Sequence, residues 1–354
     1  MDYRADFRPS SRSVIRQLNS LITSDYVILH ASELVTRSSE GRSSRGRSSS
    51  PAPEEQVLFE ERHLRFISSL GKGNFGRVEL CRYDPLGDGG GELVAVKKLQ
   101  PNRKSTLEDF RKEVDTLSVF QCDYIVQYRG VCYSTGRLSM SLVMEYLPYG
   151  SLIVYLESHR QVDTRRMLLF ASQICSGMEY LQTLRYVHRD LAARNILVAN
   201  EALVKIADFG LTKFIPSDKE YYRVLQPGES PVFWYAPESI SESRFSHKSD
   251  VWSFGVVLHE LFCYCDPSYS PKRLYLQEIG LDLQSPSISM HLENLLRNGW
   301  RLPAPLSCPH KVYGLMKQCW AFDFQERPCF SSLGEQLETI AQEERERERE
   351  RAEG

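Results

Sequence analysis

The 354-residue sequence has no apolar run near the ~18 residues needed to cross a bilayer, and its N-terminus lacks a secretory leader pattern. It has no surplus of either charge: 44 basic against 46 acidic side chains leave a net charge of -2. That excludes the general affinity for nucleic acid or anionic lipid that a basic excess confers. Its nine cysteines include no Cys-x-x-Cys pair and no His-rich partner segment, which argues against structural zinc and against a disulfide framework. Scattered cysteines in so long a chain read as buried thiols of a reducing compartment. These absences predict a soluble, cytosolic protein with length enough to bury a core.

Composition then divides what is there. Residues 37–56 are dominated by Ser, Arg, Gly, Pro and Glu, with Ala52 but no larger apolar side chain, which predicts a flexible linker. Residues 57–342 form the main domain, densely hydrophobic from Leu64 to Ala341. Residues 343–354 are a charged Glu/Arg tail, read either as a solvated helix held by charge pairs or as a frayed end. Ahead of the linker, Arg8-Pro9, Ser13, Gln17 and Leu18 repeat the spacing of Arg327-Pro328, Ser332, Gln336 and Leu337, although Ser11 stands where the second copy has Phe330. An Arg-Pro entering an amphipathic helix thus occurs twice. Residues 1–36 are therefore expected to be a remnant, the last helix of a preceding related domain.

Within the main domain, β-favouring residues bounded by turn chemistry predict strands at 64–71, 76–83, 92–99, 125–132 and 137–145. Leu107, Phe110, Val114 and Leu117 predict a helix over 106–119. Beyond Gly150 helical patterning dominates, with a stripe of Leu168, Ala171, Ile174, Met178 and Leu181. The expected class is α+β in two lobes. The first is a five-stranded antiparallel sheet with one main helix, and the second is mainly helical.

Chemistry concentrates in a few ordered segments. His188-Arg189-Asp190-Leu191-Ala192-Ala193-Arg194-Asn195 puts a carboxylate, a guanidinium and an amide in one short loop, and Asp208-Phe209-Gly210 and Ala236-Pro237-Glu238 follow. Phosphoryl transfer from ATP needs a carboxylate near the acceptor hydroxyl and oxygen ligands for Mg2+. Asp190 meets the first need. Asn195 and Asp208 meet the second, since oxygen suits a hard cation. Upstream, Gly71-Lys72-Gly73-Asn74-Phe75-Gly76 with Val78 lies between two predicted strands rather than ahead of a helix. That placement favours a phosphate-covering hairpin over a dinucleotide turn. Lys97, in Val94-Ala95-Val96-Lys97, would hold the phosphates with Glu113 fixing its ammonium, while Lys98 points to the other face. Leu70, Val78, Ala95, Met144 and Leu197 would sandwich an adenine, with backbone groups of Glu145 and Leu147 bonding it. His188 is read as a supporting residue, Asp250 as a prop of the catalytic loop, and Arg327 as the partner of Glu238.

These motifs resemble the protein kinases. Ala192 and Arg194, where many Ser/Thr kinases place a Lys two positions after the catalytic Asp, resemble the tyrosine kinases, as does Pro231 ahead of Trp234-Tyr235-Ala236-Pro237-Glu238. Leu80-Cys81-Arg82-Tyr83-Asp84-Pro85-Leu86, Met144-Glu145-Tyr146-Leu147-Pro148-Tyr149-Gly150, residues 219–234 and a lengthening segment around 281–296 are similar to the Janus tyrosine kinases. Cys263-Tyr264-Cys265-Asp266 and Arg301-Leu302-Pro303-Ala304-Pro305 resemble the lymphoid branch of that family. The resemblance implies ATP-dependent phosphorylation of protein tyrosines, with cytokine receptors and STAT transcription factors as partners. It also implies a pseudokinase domain upstream and peripheral membrane placement through receptors. Tyr221 and Tyr222, beside Lys219 and Arg223, would be regulatory phosphorylation sites, Tyr221 the principal one, with Arg189 receiving the phosphate. The Ser/Arg linker and the Glu/Arg tail depart from the family pattern.

Overall fold

Alternation along the strands explains the first lobe. The structure, a computed structural model, describes residues 57–353 apart from 73–75, 100–106, 134–139, 225–230, 282–284 and 286. Strands β1 (Leu58–Glu60), β2 (Leu64–Lys72), β3 (Gly76–Tyr83), β4 (Glu92–Leu99), β5 (Tyr128–Tyr133) and β6 (Met140–Glu145) form one sheet in the order β1-β5-β6-β4-β3-β2. Val78 pairs with Lys97 and Leu80 with Ala95, and Ala95 in turn pairs with Met144, so these side chains share one face. The opposite face carries a separate small core of Phe59, Cys81, Val94, Val96, Cys132 and Val143.

The expected five antiparallel strands are present, but the sheet has a sixth. β1 pairs with β5 in parallel, Leu58 opposite Val131. Three residues are too few to show a two-residue period. What fixes them is long-range: the Phe59 and Tyr83 rings meet edge to face at 4.5 Å. Gly130 also permits close approach, because a Cβ there would lie 2.1 Å from the Val57 carbonyl. β5 also starts three residues later than its hydrophobicity suggests. Val126 N–H donates to the Ile206 carbonyl, and Ile125 bridges Ile206, so residues 125 and 126 are tied to the second lobe instead.

Helix α1 (Leu107–Ser118) buries Phe110, Val114 and Leu117 on the side that also carries Glu113. In the second lobe come α2 (Leu152–Ser158), α3 (Thr164–Thr183), β7 (Tyr186–Val187), β8 (Ile196–Asn200), β9 (Leu203–Ile206), β10 (Lys213–Phe214), β11 (Tyr222–Arg223), α4 (Pro237–Ser241), β12 (Arg244–Phe245) and α5 (His247–Phe262). They are followed by α6 (Pro271–Ile279), α7 (Ile288–Arg297), α8 (His310–Cys319) and α9 (Phe330–Glu353). Side chains at the ends start α2 and α3: Ser151 Oγ accepts from Val154 N–H, and Asp163 from Arg166 N–H. The stripe from Leu168 to Leu181 on α3 is fully buried. A Cβ on Gly177 would meet Ile206 Cδ1 at 2.8 Å, so glycine lets β9 lie against that helix. α5 runs through the centre, with Val251, Trp252, Phe254, Val256, Val257 and Leu258 at 0–1% exposure. α7 supplies the predicted lengthening of this lobe.

The charged tail is helical: α9 continues through Glu353, with Lys311 bonded to Glu343 at 2.5 Å and Arg347 to Glu344 at 2.6 Å. The helix expected within 1–36 and the linker of 37–56 lie outside the described residues. No described helix is long and apolar enough to cross a membrane.

Candidate active site

The cleft between the lobes is built by four segments. From the first lobe, β4 aims Lys97 at α1. Its Nζ donates to Glu113 Oε1 at 2.5 Å and to Asp208 Oδ1 at 3.0 Å, so residues distant in sequence meet at one ammonium. Burial disfavours that ammonium, yet the two carboxylates outweigh it and raise the Lys97 pKa. Burial also pushes Asp208 upward, but Lys97 beside it wins and holds the carboxyl below its usual range. The ion pair is therefore charged at neutral pH. Lys98 points the other way and meets Glu79 at 2.7 Å.

Two non-glycine residues here have left-handed backbones, Arg189 at φ 69° and Asp208 at φ 57°. Such conformations cost about 1 kcal/mol each and persist only where surrounding bonds impose them. For the loop at 188–195 the restraint is Asp250 of α5, whose carboxylate accepts from His188 N–H at 2.8 Å and Arg189 N–H at 3.0 Å. His188 is fully buried; its Nδ1 accepts from Asp190 N–H at 3.2 Å, and its ring meets Phe209 edge to face at 5.2 Å. Burial lowers its pKa, so the imidazole is neutral and structural, as the sequence suggested. Asn195 sits in a single 3-10 turn, Ala193–Asn195, and its amide nitrogen donates to the Asp190 carbonyl at 2.7 Å. Arg194 bonds Asp190 and lies over the Trp234 ring at 4.5 Å.

Val78, Ala95 and Met144 line one sheet face, and Leu197 on β8 bridges to Ser151 below the hinge. Leu70 is 43% exposed, and Gly71 and Gly76 flank the turn of the hairpin. Gly73, Asn74 and Phe75 lie outside the described residues. So does the side chain of Lys72, whose backbone ends β2.

Geometry narrows two expectations. Glu145 N–H is bonded to the Gln127 carbonyl at 3.1 Å, which leaves the Glu145 carbonyl as its backbone group toward the cleft. Its side chain, expected to be incidental, accepts from Gln127 N–H at 2.6 Å and pairs with Lys205 of β9 at 2.7 Å, joining the lobes. Of the two tyrosines expected to regulate, the one beside Arg189 is Tyr222 rather than Tyr221. Tyr222 is in β11 opposite Phe245, its ring 5.8 Å from the buried Arg189 guanidinium. Tyr221 lies instead under Arg244, at 4.2 Å. Arg189 is the partner the motifs suggest, whereas the Arg244 contact is not visible in local sequence because it depends on the contact of β11 with β12.

Residues 64–337 match the family model described as protein tyrosine and serine/threonine kinase. The chain belongs to that kinase family. It is 53% identical over 342 residues to tyrosine-protein kinase JAK3 of Rattus norvegicus, a match that takes in 96% of this chain and 31% of that protein. It is 46% identical over 288 residues to tyrosine-protein kinase JAK1 of Danio rerio, covering 80% and 25% respectively. The Janus-type resemblance read from the motifs is carried by both relatives, while the chain spans less than a third of either one's length. Deeper in this kinase lobe, Arg327 grips Glu238 with two bonds of 2.7 and 2.8 Å. Glu260 of α5, which no motif singled out, accepts from Ala193 N–H and from Trp234 Nε1.

Proposed function

We propose that this domain transfers the γ-phosphoryl group of ATP to tyrosine hydroxyls of proteins. The observation that carries the reading is the meeting of Lys97, Glu113 and Asp208 at one buried ion cluster, with Asp190 held in the adjoining loop. Lys97 grips the α- and β-phosphates, and Glu113 and Asp208 hold its ammonium in place. Val78, Ala95, Met144 and Leu197 enclose the purine, with Leu70 at the open edge; the carbonyl of Glu145 and the backbone of Leu147 are its polar contacts. Gly71 through Gly76 cover the phosphates.

Asp190 orients the phenol O–H and accepts its proton as the phenolic oxygen bonds to the γ-phosphorus. The bond from that phosphorus to the bridging oxygen breaks, and ADP leaves with the electron pair. Among the described residues no group of three or more His, Cys, Asp or Glu side chains forms a metal cage. The donors that are present fit magnesium, which takes one or two protein oxygens and fills the rest from phosphate and water. Asp208 would hold it with its carboxylate, and Asn195 with the carboxamide oxygen. When bound, Mg2+ neutralises charge across the β- and γ-phosphates.

Tyrosine as acceptor is supported by Ala192 and by Arg194 reaching Asp190 from a stacked position on Trp234, and by the names of both relatives. Phosphorylation of Tyr221 supplies an anion for Arg244, and of Tyr222 for Arg189, ordering the segment that ends at Glu238. The relatives also support placement in cytokine-receptor signalling, with receptors and STAT proteins as partners. The test is purified protein with Mg-ATP and a tyrosine peptide, phosphate being located by mass spectrometry. Phosphotyrosine is expected, and its loss in Asp190→Asn. Full activity in that variant contradicts the site. Tyr221→Phe should lose the activation gained by preincubation with ATP, and undiminished activation refutes that role.

A further inference from the structure

The chain leaves α3 through a residue whose backbone is costly and whose side chain is fully employed. Arg185 has φ 62°, a left-handed conformation that glycine or asparagine adopts more readily at a helix end. Its guanidinium reaches the segment that begins at Asp208. Nε donates to the Ile215 carbonyl at 2.9 Å, and Nη2 donates to the carbonyls of Pro216 and Lys219, each at 2.7 Å. Ile215 N–H returns a bond to the Arg185 carbonyl at 2.8 Å. That bond extends the ladder in which Lys213 and Phe214 of β10 pair with Val187 and Tyr186 of β7. Ile215 itself is buried with Val187, Tyr235 and Phe245, and Tyr222 packs against the same cluster.

We propose that Arg185 is a positioning residue that docks residues 215–219 without any phosphate and so sets the activity of the unphosphorylated enzyme. The inference rests on the tyrosine-kinase and loop-phosphorylation readings above and adds a second anchor to them. All three side-chain bonds go to main-chain carbonyls. One guanidinium meets three carbonyls spread over residues 215–219 only along one path of the chain, so the contact depends on the shape of the segment. Such charge-assisted bonds to neutral acceptors are present whether or not the tyrosines carry phosphate. Phosphates would act further along, where Tyr221 lies under Arg244 and Tyr222 beside Arg189. Undocking of residues 215–219 would draw Ile215 out of the cluster that supports Tyr222 and Tyr235, and with them the approach to Ala236-Pro237-Glu238. In an equilibrium between docked and undocked forms, loss of one anchor shows only where the other does not already hold the docked form. Removal of the Arg185 side chain should therefore impair the unphosphorylated enzyme far more than the phosphorylated one.

The experiment compares kcat/KM for a tyrosine peptide between phosphatase-treated protein and protein preincubated with Mg-ATP. Arg185→Gly suits the left-handed backbone, so it removes the side chain without straining the end of α3. It is expected to lower the unphosphorylated rate about tenfold or more and the phosphorylated rate by less than about threefold, widening the activation ratio. Amide exchange at Ile215 and Lys219 should quicken by about tenfold in the unphosphorylated variant while amides of α5 keep their protection. An equal fall in both forms marks a general structural role and overturns the proposal. So does an unchanged unphosphorylated rate, or unchanged exchange at Ile215 and Lys219. Should Arg185→Gly fail to accumulate, Arg185→Asn decides by the same ratio, since asparagine also tolerates this backbone and is too short to reach the carbonyls. Absence of tyrosine phosphorylation by the unsubstituted protein would contradict the kinase reading instead. The exchange measurement, which needs no catalysis, would still test the docking.

Discussion

At the scale of single residues, ionisation is set by burial set against specific partners. Lys97 is 3% exposed yet stays charged because two carboxylates face it. Lys97→Met therefore removes a phosphate ligand and leaves Glu113 and Asp208 facing each other without a cation. The expected result is a fall in kcat of about a hundredfold or more with the fold retained, read by steady-state kinetics alongside circular dichroism. His259 shows the opposite balance. It is 1% exposed on α5, and burial depresses its pKa to about 4 despite a hydrogen bond to the Pro303 backbone. A depressed folded-state pKa means that the unfolded chain binds the proton first. The stabilising contribution is thus complete above the unfolded value near 6.5 and is lost as pH falls toward 4. Denaturant titrations of the protein and His259→Gln should diverge on acidification. The unsubstituted protein should lose about 2 kcal/mol more than the variant between pH 8 and pH 5. Parallel curves would show that His259 does not titrate this way.

At the scale of elements, what was legible in the sequence followed from local pattern. Glycine spacing and alternation marked β2 to β4. Phe110, Val114 and Leu117 marked α1, and with it the place of Glu113. The HRD and DFG segments announced their own loops. Pairings between distant elements were not legible. Lys205 lies 60 residues from Glu145 and its bond to it crosses the lobes. The Arg244 contact to Tyr221 and the diversion of residues 125 and 126 to β9 likewise exist only once strands are docked. The Glu145–Lys205 pair, at 16% and 13% exposure, lies behind the hinge and beside the Val126 to Ile206 hydrogen bond. Lys205→Met should loosen this junction. Amide exchange at Val126 and Ile206 is expected to quicken by about tenfold, while amides in α5 keep their protection. Unchanged exchange at those two positions would remove the pair from any account of the hinge.

At the scale of the whole molecule, the two lobes divide the work. The sheet and α1 bring the Lys97 ammonium and the apolar face of Val78, Ala95 and Met144, and the helical lobe brings the carboxylates of Asp190 and Asp208. α5 unites the second set: Asp250 holds the catalytic loop from one turn, and Glu260 reaches the same loop and the substrate segment from another. Arg327 and Glu238 then lock the end of that segment to the start of α9. Breaking this buried pair leaves an unmatched charge, at a cost of about 3–5 kcal/mol. The acceptor side therefore rests on a preformed scaffold.

The most direct measurement is a competition between two peptides, equal in concentration and alike except for one Tyr or Ser acceptor, with Mg-ATP as the only donor. Phosphate should accumulate on the tyrosine peptide alone, and Asp190→Asn should abolish it. Equal labelling of both peptides, or labelling that survives the Asp190 substitution, would contradict the account.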